Sequence, residues 1–160
     1  FSSRMPPMAT RVFQSFEELE PLVGTEVAVS DWVEITQERV DRFAEATGDH
    51  QWIHVDVERA RRESPYGGPI AHGYLTLSLA PKIAGEAIAF PNSRMGVNYG
   101  SNRVRFPDAV PVGSRVRARF VLGKVERIEG GVQIQWNVTL EREGAAKPAM
   151  VAEVISRRYA

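Results

Sequence analysis

Ile70-Ala71-His72-Gly73-Tyr74-Leu75-Thr76-Leu77-Ser78-Leu79-Ala80-Pro81-Lys82-Ile83-Ala84-Gly85-Glu86-Ala87-Ile88 is the stretch on which the fold turns. Ile70, Ala71, Leu75, Leu77, Leu79, Ala80, Ile83, Ala84 and Ala87 leave it apolar or small on every side, and a helix apolar all round is a buried helix. Pro81 lies inside it and predicts a kink or a boundary. Pro81, Lys82 and Glu86 argue against a membrane span. No other apolar run approaches the roughly 20 residues a span needs.

Downstream of this helix the sequence reads as strands. Met95 to Phe106 is the first, followed by a turn from Pro107 to Gly113. From Arg115 to Gly123, basic residues alternate with Val116, Ala118, Phe120 and Leu122. From Val132 to Leu140, Val132, Ile134, Trp136, Val138 and Leu140 alternate with Gln133, Gln135, Asn137 and Thr139. Period-two alternation gives a strand one wet and one buried face. Gly130-Gly131 predicts the hairpin between the second and third strands, and Pro148 to Tyr159 closes the set.

Upstream, Phe13 to Leu22 reads as a short helix and Glu26 to Ile35 as a strand. Thr36 to Thr47 is the clearest helix: Thr36 can cap its first turn, Glu38 lies where negative charge is favoured, and Val40, Phe43, Ala44 and Thr47 share a face. Gly48 sits where helices end in the left-handed conformation, so Asp49 to Asp56 should leave as an ordered turn. Val57 to Glu63 reads as a short charged helix, and Ser64 to Pro69 as a loop. The fold class is therefore α+β. One antiparallel sheet must cover its apolar face, and the buried helix is the obvious cover. A sheet wrapped round one central helix is the hot-dog arrangement.

A chain of 160 residues fits one domain. Residues 1–12 are expected to be an N-terminal tail, its first four residues left over from cloning, and 13–160 the domain. Lys plus Arg balance Asp plus Glu at 20 each, so no long-range field gathers nucleic acid or an anionic membrane. The absence of cysteine excludes disulfides, thiolate catalysis and cysteine-bound zinc, and it fits a cytoplasmic protein.

All three histidines, His50, His54 and His72, bracket the loop between the two main helices, and Asp49 and Asp56 share the stretch. A carboxylate and an imidazole five residues apart across an ordered turn can hold one water between them. That suits the hydration of an enoyl thioester: a water loses a proton as it attacks C3, C2 gains one, and the thioester oxygen gathers negative charge. Asp is ionised and His is near its midpoint at neutral pH. A free N–H at the start of the buried helix can meet the oxyanion, and Gly73 lets a ligand approach the backbone closely.

Gly48-Asp49…His54 with Ile70-Ala71-His72-Gly73 resembles the signature of MaoC-like (R)-specific enoyl-CoA hydratases. Asp49-His50-Gln51-Trp52-Ile53-His54-Val55-Asp56, Asn98-Tyr99-Gly100, Val104-Arg105-Phe106-Pro107 and Val110-Pro111-Val112-Gly113 are similar to its NodN-like branch, from about Phe13 to the C-terminus. The resemblance implies Asp49 and His54 as the acid/base pair and the Gly73 N–H as the oxyanion donor. It also implies an acyl chain beside the central helix and a homodimer with the site at or near its interface. The substrate would be an enoyl-CoA or a carrier-bound thioester, hydrated reversibly to an (R)-3-hydroxyacyl thioester. No separate cofactor is needed, since CoA belongs to the substrate. Gln51-Trp52 stand where many members carry Asn-Pro.

Other residues carry weaker signals. Asn98, Tyr99 and Tyr66 are candidates to line a pocket, and His72 either contacts substrate or bonds a loop carbonyl. His50 is expected to orient the loop or face solvent. His50 and His54 have the spacing of a helical zinc pair, with His72 as a third ligand. Gly48 should end the helix before them, however, and the glutamate of His-Glu-x-x-His is missing, so no metal is expected. Arg103, Arg105, Arg115, Arg117 and Arg119 read first as a strand's wet face and second as phosphate ligands. Two rival functions remain open: a hot-dog thioesterase, disfavoured because Leu75 to Ala84 carries no acid, and a non-catalytic subunit of a heterodimer.

Overall fold

The stretch from 70 to 88 folds as the central helix in two segments, Gly73–Ser78 and Ala80–Ala87. Pro81 has no N–H to offer the carbonyl four residues back, Leu77, and the helix is interrupted at Leu79 between the two. Leu75, Leu79, Ala80, Ile83 and Ala87 are all buried. The computed structural model describes residues 10–160, so most of the expected N-terminal tail lies outside the described residues.

In chain order the strands are β1 (Arg11–Val12), β2 (Glu26–Val29), β3 (Val33–Glu34), β4 (Ile88–Ala89), β5 (Met95–Arg105), β6 (Arg115–Ile128), β7 (Gly131–Arg142) and β8 (Met150–Tyr159). The helices are α1 (Gln37–Thr47), α2 (Trp52–Val55), α3 (Val57–Glu63), α4 (Gly73–Ser78) and α5 (Ala80–Ala87). The main sheet is antiparallel in the order β2-β6-β7-β8-β5, with β3 also paired to β6. The short β1 and β4 pair in parallel, so Arg11 and Val12 are tied to the end of the central helix. An antiparallel sheet over a central helix is the hot-dog fold that the sequence predicts.

The alternating strands form the core as expected. Val116, Ala118, Phe120 and Leu122 of β6 face inward beside Val132, Ile134, Trp136, Val138 and Leu140 of β7. Burying each such large side chain contributes about 1.5–3 kcal/mol. The hairpin closes with Ile128 opposite Gly131 and Gly130 at φ 76°. The inner row of β8 runs Met150, Ala152, Val154, Ser156, Arg158, opposite Leu140, Val138, Trp136, Ile134 and Val132. That row changes from apolar to polar at the end nearest α5.

Three local expectations are corrected. Phe13 to Leu22 is not an α-helix but two 3₁₀ turns, Phe16–Glu18 and Glu20–Leu22, with Pro21 at the head of the second. Glu26 to Ile35 is not continuous: the Ser30 N–H still donates to the Ala118 carbonyl at 2.9 Å, but the Ala118 N–H donates to Ser30 Oγ, also at 2.9 Å, and the regular strand pairing stops there. The turn after Gly48 contains a short helix, α2. By contrast, α1 starts and stops as read, with Thr36 Oγ1 accepting from the Arg39 N–H at 3.1 Å and Gly48 at φ 79°.

Candidate active site

Gly48 ends α1 in the left-handed region and throws the chain back across it. Asp49 follows at once. Its N–H donates to Thr47 Oγ1 and its Oδ1 accepts from the Gln51 N–H, both at 3.3 Å. One turn later α2 carries His54, whose N–H donates to the Gln51 carbonyl at 3.0 Å and whose carbonyl accepts from Gln37 Nε2 at 2.8 Å. The segment before the central helix is pinned on both sides: Ile70 N–H to the Ile53 carbonyl at 3.0 Å, and Ala71 N–H to the Val110 carbonyl at 2.8 Å. These bonds to the main chain bring Asp49, His54 and His72 together.

The two imidazoles stack with centroids 3.9 Å apart, and Phe43 covers His72 at 5.0 Å. His54 is 7% exposed and His72 2%, whereas Asp49 is exposed. One ligand-capable atom from each of the three lies within 4.8 Å of the others. His54 Nδ1 is 2.7 Å from the Ile70 carbonyl, and His72 Nε2 is 3.0 Å from the Asp49 carbonyl. A carbonyl only accepts, so those nitrogens carry the protons. In the neutral rings the lone pairs then lie on His54 Nε2 and His72 Nδ1, and the latter is buried without a partner. The cluster could gather round a cation through Asp49 and these two lone pairs. It is equally a carboxylate beside a fixed imidazole base.

Burial pushes the His54 pKa below its ordinary value; the neighbouring His72 adds to this, while the Ile70 carbonyl and Asp49 oppose it. His54 is therefore neutral at pH 7 and able to accept a proton at Nε2. His50, by contrast, stands in solvent 3.9 Å from Glu45.

Gly73 heads α4, so its N–H has no intrahelical acceptor. The expected reason for a glycine here, close approach of a ligand, is only part of the account. A Cβ at Gly73 would lie 2.9–3.0 Å from the Phe106 ring, so the glycine admits that side chain. Gly73, Tyr66, Thr76 and Phe106 line a cavity of about 360 Å³. Asn98 instead lines a second cavity, of about 270 Å³, beside Ala80, Pro81 and Ala84. Tyr99 is 56% exposed under the Arg157 guanidinium, 3.7 Å from its ring. Asp49 and His54 line neither cavity, so Asn98 and Tyr99 do not join them within this chain.

Arg115, Arg117 and Arg119 are the wet face of β6, as first read. Arg115 pairs with Glu143, Arg117 with Glu141, and Arg119 with both Glu141 and Glu26. Sequence reasoning missed Phe43, Phe106 and the Gln37 contact, because packing across elements leaves no local pattern. It also missed Arg158, although the alternation of β8 would have placed it on the inner row.

Comparison with known proteins agrees with the fold. The MaoC like domain matches residues 18–143. The 3-hydroxyacyl-thioester dehydratase Z of Mycobacterium tuberculosis is 52% identical over 94% of this chain and 99% of its own length. Nodulation protein N of Rhizobium meliloti is 44% identical over 89% of each chain. A monoamine oxidase regulatory protein of known structure from Archaeoglobus superposes with a TM-score of 0.75 at 21% identity, covering 96% of this chain and 99% of that one. The paired Gly48-Asp49…His54 and Ile70-Ala71-His72-Gly73 segments, the sheet wrapped round α4 and α5 and the match over most of the domain agree: the chain belongs to the MaoC-like family.

Proposed function

We propose that this protein hydrates trans-2-enoyl thioesters reversibly to (R)-3-hydroxyacyl thioesters, with Asp49 and His54 acting on one water. The chain is a hydro-lyase of the MaoC-like dehydratase and hydratase type. The observation that carries the finer reading is the fixed ring of His54: Nδ1–H is held by Ile70, so Nε2 is the only nitrogen left for chemistry.

Water bound between the Asp49 carboxylate and His54 Nε2 gives one proton to His54 as its oxygen bonds to C3. The C2–C3 π electrons move toward the thioester carbonyl, and the Gly73 N–H meets the oxygen's growing charge. The imidazolium, stabilised by Asp49, then returns the proton to C2. One group takes and returns that proton, so hydroxyl and hydrogen arrive on the same face, which is syn addition. Dehydration is the reverse. The chemistry requires no metal or redox group, and CoA or a carrier enters only as part of the substrate.

The site reads as a homodimer's. Asp49 is exposed, neither cavity reaches it, and β5 is an edge strand bearing exposed Met95, Val97 and Tyr99. A second copy paired there supplies the missing wall. No helix among the described residues is long and apolar enough to cross a membrane.

The test is loss of crotonyl-CoA absorbance in wild type, Asp49→Ala and His54→Ala. Each variant should lose about 10²–10⁴-fold in kcat with folding intact by circular dichroism. Near wild-type activity in either variant overturns the mechanism, and release of free thiol would assign a thioesterase instead.

A further inference from the structure

Arg158 occupies an unusual place. Its register partners, Val132 on β7 and Gly96 on β5, put it on the inner face of the sheet, two residues beyond Ser156 and four beyond Val154. Its guanidinium lies over the Phe90 ring at 4.7 Å, and a Cβ at Gly96 would fall 2.9 Å from its central carbon. Gly96 thus leaves the room that the guanidinium fills. The charge is half-buried, and burial alone lowers its pKa. Among the described residues it has no carboxylate or other hydrogen-bond partner, while Arg115, Arg117, Arg119, Arg127 and Arg142 each have an acid. A half-buried guanidinium packed only on an aromatic face keeps its N–H donors for another partner.

Arg158 lines the cavity of about 270 Å³ between α5 and the β5–β8 end of the sheet. Ser156 and Asn98 stand beside it, and Ala84, Ile88 and Trp136 form the apolar wall. The cavity lies along the same helix that begins at Gly73. Ala84 is about 16 Å along the axis from Gly73 at 1.5 Å per residue.

We propose that this cavity receives the far end of the acyl chain and that Arg158 binds a carboxylate there, so that the preferred substrates are enoyl thioesters of dicarboxylic acids. The inference rests on the enoyl-thioester reading and adds the substrate class. The apolar wall carries the methylene chain, and the planar guanidinium takes the terminal carboxylate in two parallel hydrogen bonds. Ser156 and Asn98 supply further donors. A phosphate would satisfy the same guanidinium, but the apolar lining favours an anion carried on a hydrocarbon.

Two measurements test this. In the first, kcat/KM is compared for the CoA thioesters of trans-2-dodecenedioic and trans-2-dodecenoic acids. The diacid should be preferred by about tenfold or more, the effect of one charge-assisted contact, and Arg158→Met should abolish the preference. Equal rates in wild type overturn the proposal and leave Arg158 as packing against Phe90. In the second, wild type is titrated by calorimetry with dodecanedioate, dodecanoate and inorganic phosphate. The diacid should bind about tenfold tighter than the monoacid; Arg158-dependent phosphate binding without that difference would transfer the site to phosphate and overturn the carboxylate assignment. The wild-type arms decide the matter even if Arg158→Met does not fold. Diacid-selective binding without hydration of any enoyl-CoA would overturn the enzymatic reading and keep the anion site.

Discussion

His54 and His72 hold each other's segments. His54 Nδ1–H donates to the carbonyl of Ile70, two residues before His72, and His72 Nε2–H donates to the carbonyl of Asp49, in the turn that leads to His54. With the rings stacked at 3.9 Å, the loop after α1 and the start of the central helix form one unit. His72 is thus a positioning residue: it holds the main chain of Asp49. Replacing it with Ala should remove a part-buried hydrogen bond, at a stability cost of about 0.5–1.5 kcal/mol, and lower kcat with little change in KM. Gln in its place can return the donor, and the variant should regain most of the rate. An Ala variant with unchanged kcat would show that the clamp does not set Asp49.

The lowered pKa of His54 fixes the sign of two pH effects. The proposed mechanism uses its neutral form, so the acid limb of kcat/KM should lie below the ordinary histidine value of about 6.5. Asp49 raises the His54 pKa, so Asp49→Asn should move the residual activity's limb to still lower pH. Stability follows the same group. Between the folded value and about 6.5 the unfolded chain binds more protons, so stability falls as pH is lowered through that window. Thermal melts from pH 7.5 to 5 should show the decline, and His54→Gln should flatten it. A wild-type limb above 6.5 would contradict the burial argument.

Gly73 should not tolerate a methyl group. Its Cβ would press on Phe106 at 2.9–3.0 Å, and relieving that contact should cost about 1–3 kcal/mol. In a thermal melt Gly73→Ala should be destabilised, and adding Phe106→Leu should restore much of the loss. Activity gives the second readout. If the Gly73 N–H meets the oxyanion, the single variant, with that N–H displaced by the Phe106 ring, should lose kcat while still folded, and the double variant should regain rate together with stability. A folded Gly73→Ala variant with wild-type kcat would leave Gly73 a packing residue only.

The sequence made the fold legible where one residue type decides one local event. Thr36 and Gly48 bound α1, Pro81 interrupts the central helix, and alternation fixes the inner face of β6 and β7. It misled where tertiary contacts override local preference. Ser30 breaks a strand because its hydroxyl answers Ala118 in another strand, and Phe13 to Leu22 tightens into 3₁₀ turns around Pro21. At the site, Asp49, His54 and His72 could be singled out from their clustering together with the family resemblance. Their tautomers could not, because those depend on the Ile70 and Asp49 carbonyls. Nor could the separation of Asn98 from that cluster, which depends on how β5 lies along α5.

The strand β5 should pair with a second copy of itself. It is the outer strand of the main sheet, eleven residues long, bonded to β8 on one side only among the described residues. Such an edge invites pairing, and proteins that must avoid it place charges there. Here the charges come late: Met95 to Asn102 has none, and Arg103 and Arg105 follow. Met95, Val97 and Tyr99 are exposed at 47%, 40% and 56%, with Tyr74 and Phe106 exposed nearby in sequence to Gly73 and Arg105. Two antiparallel copies related by a twofold axis would satisfy both edges at once. Sedimentation equilibrium should find a dimer at micromolar concentration. Met95→Lys with Tyr99→Lys should place like charges along the shared edge and weaken the dimer by about tenfold or more, an effect of about 1.4 kcal/mol. If the partner completes the site, kcat/KM should fall with the dimer fraction on dilution. A wild-type chain that is monomeric and fully active would sink both the pairing and the shared wall.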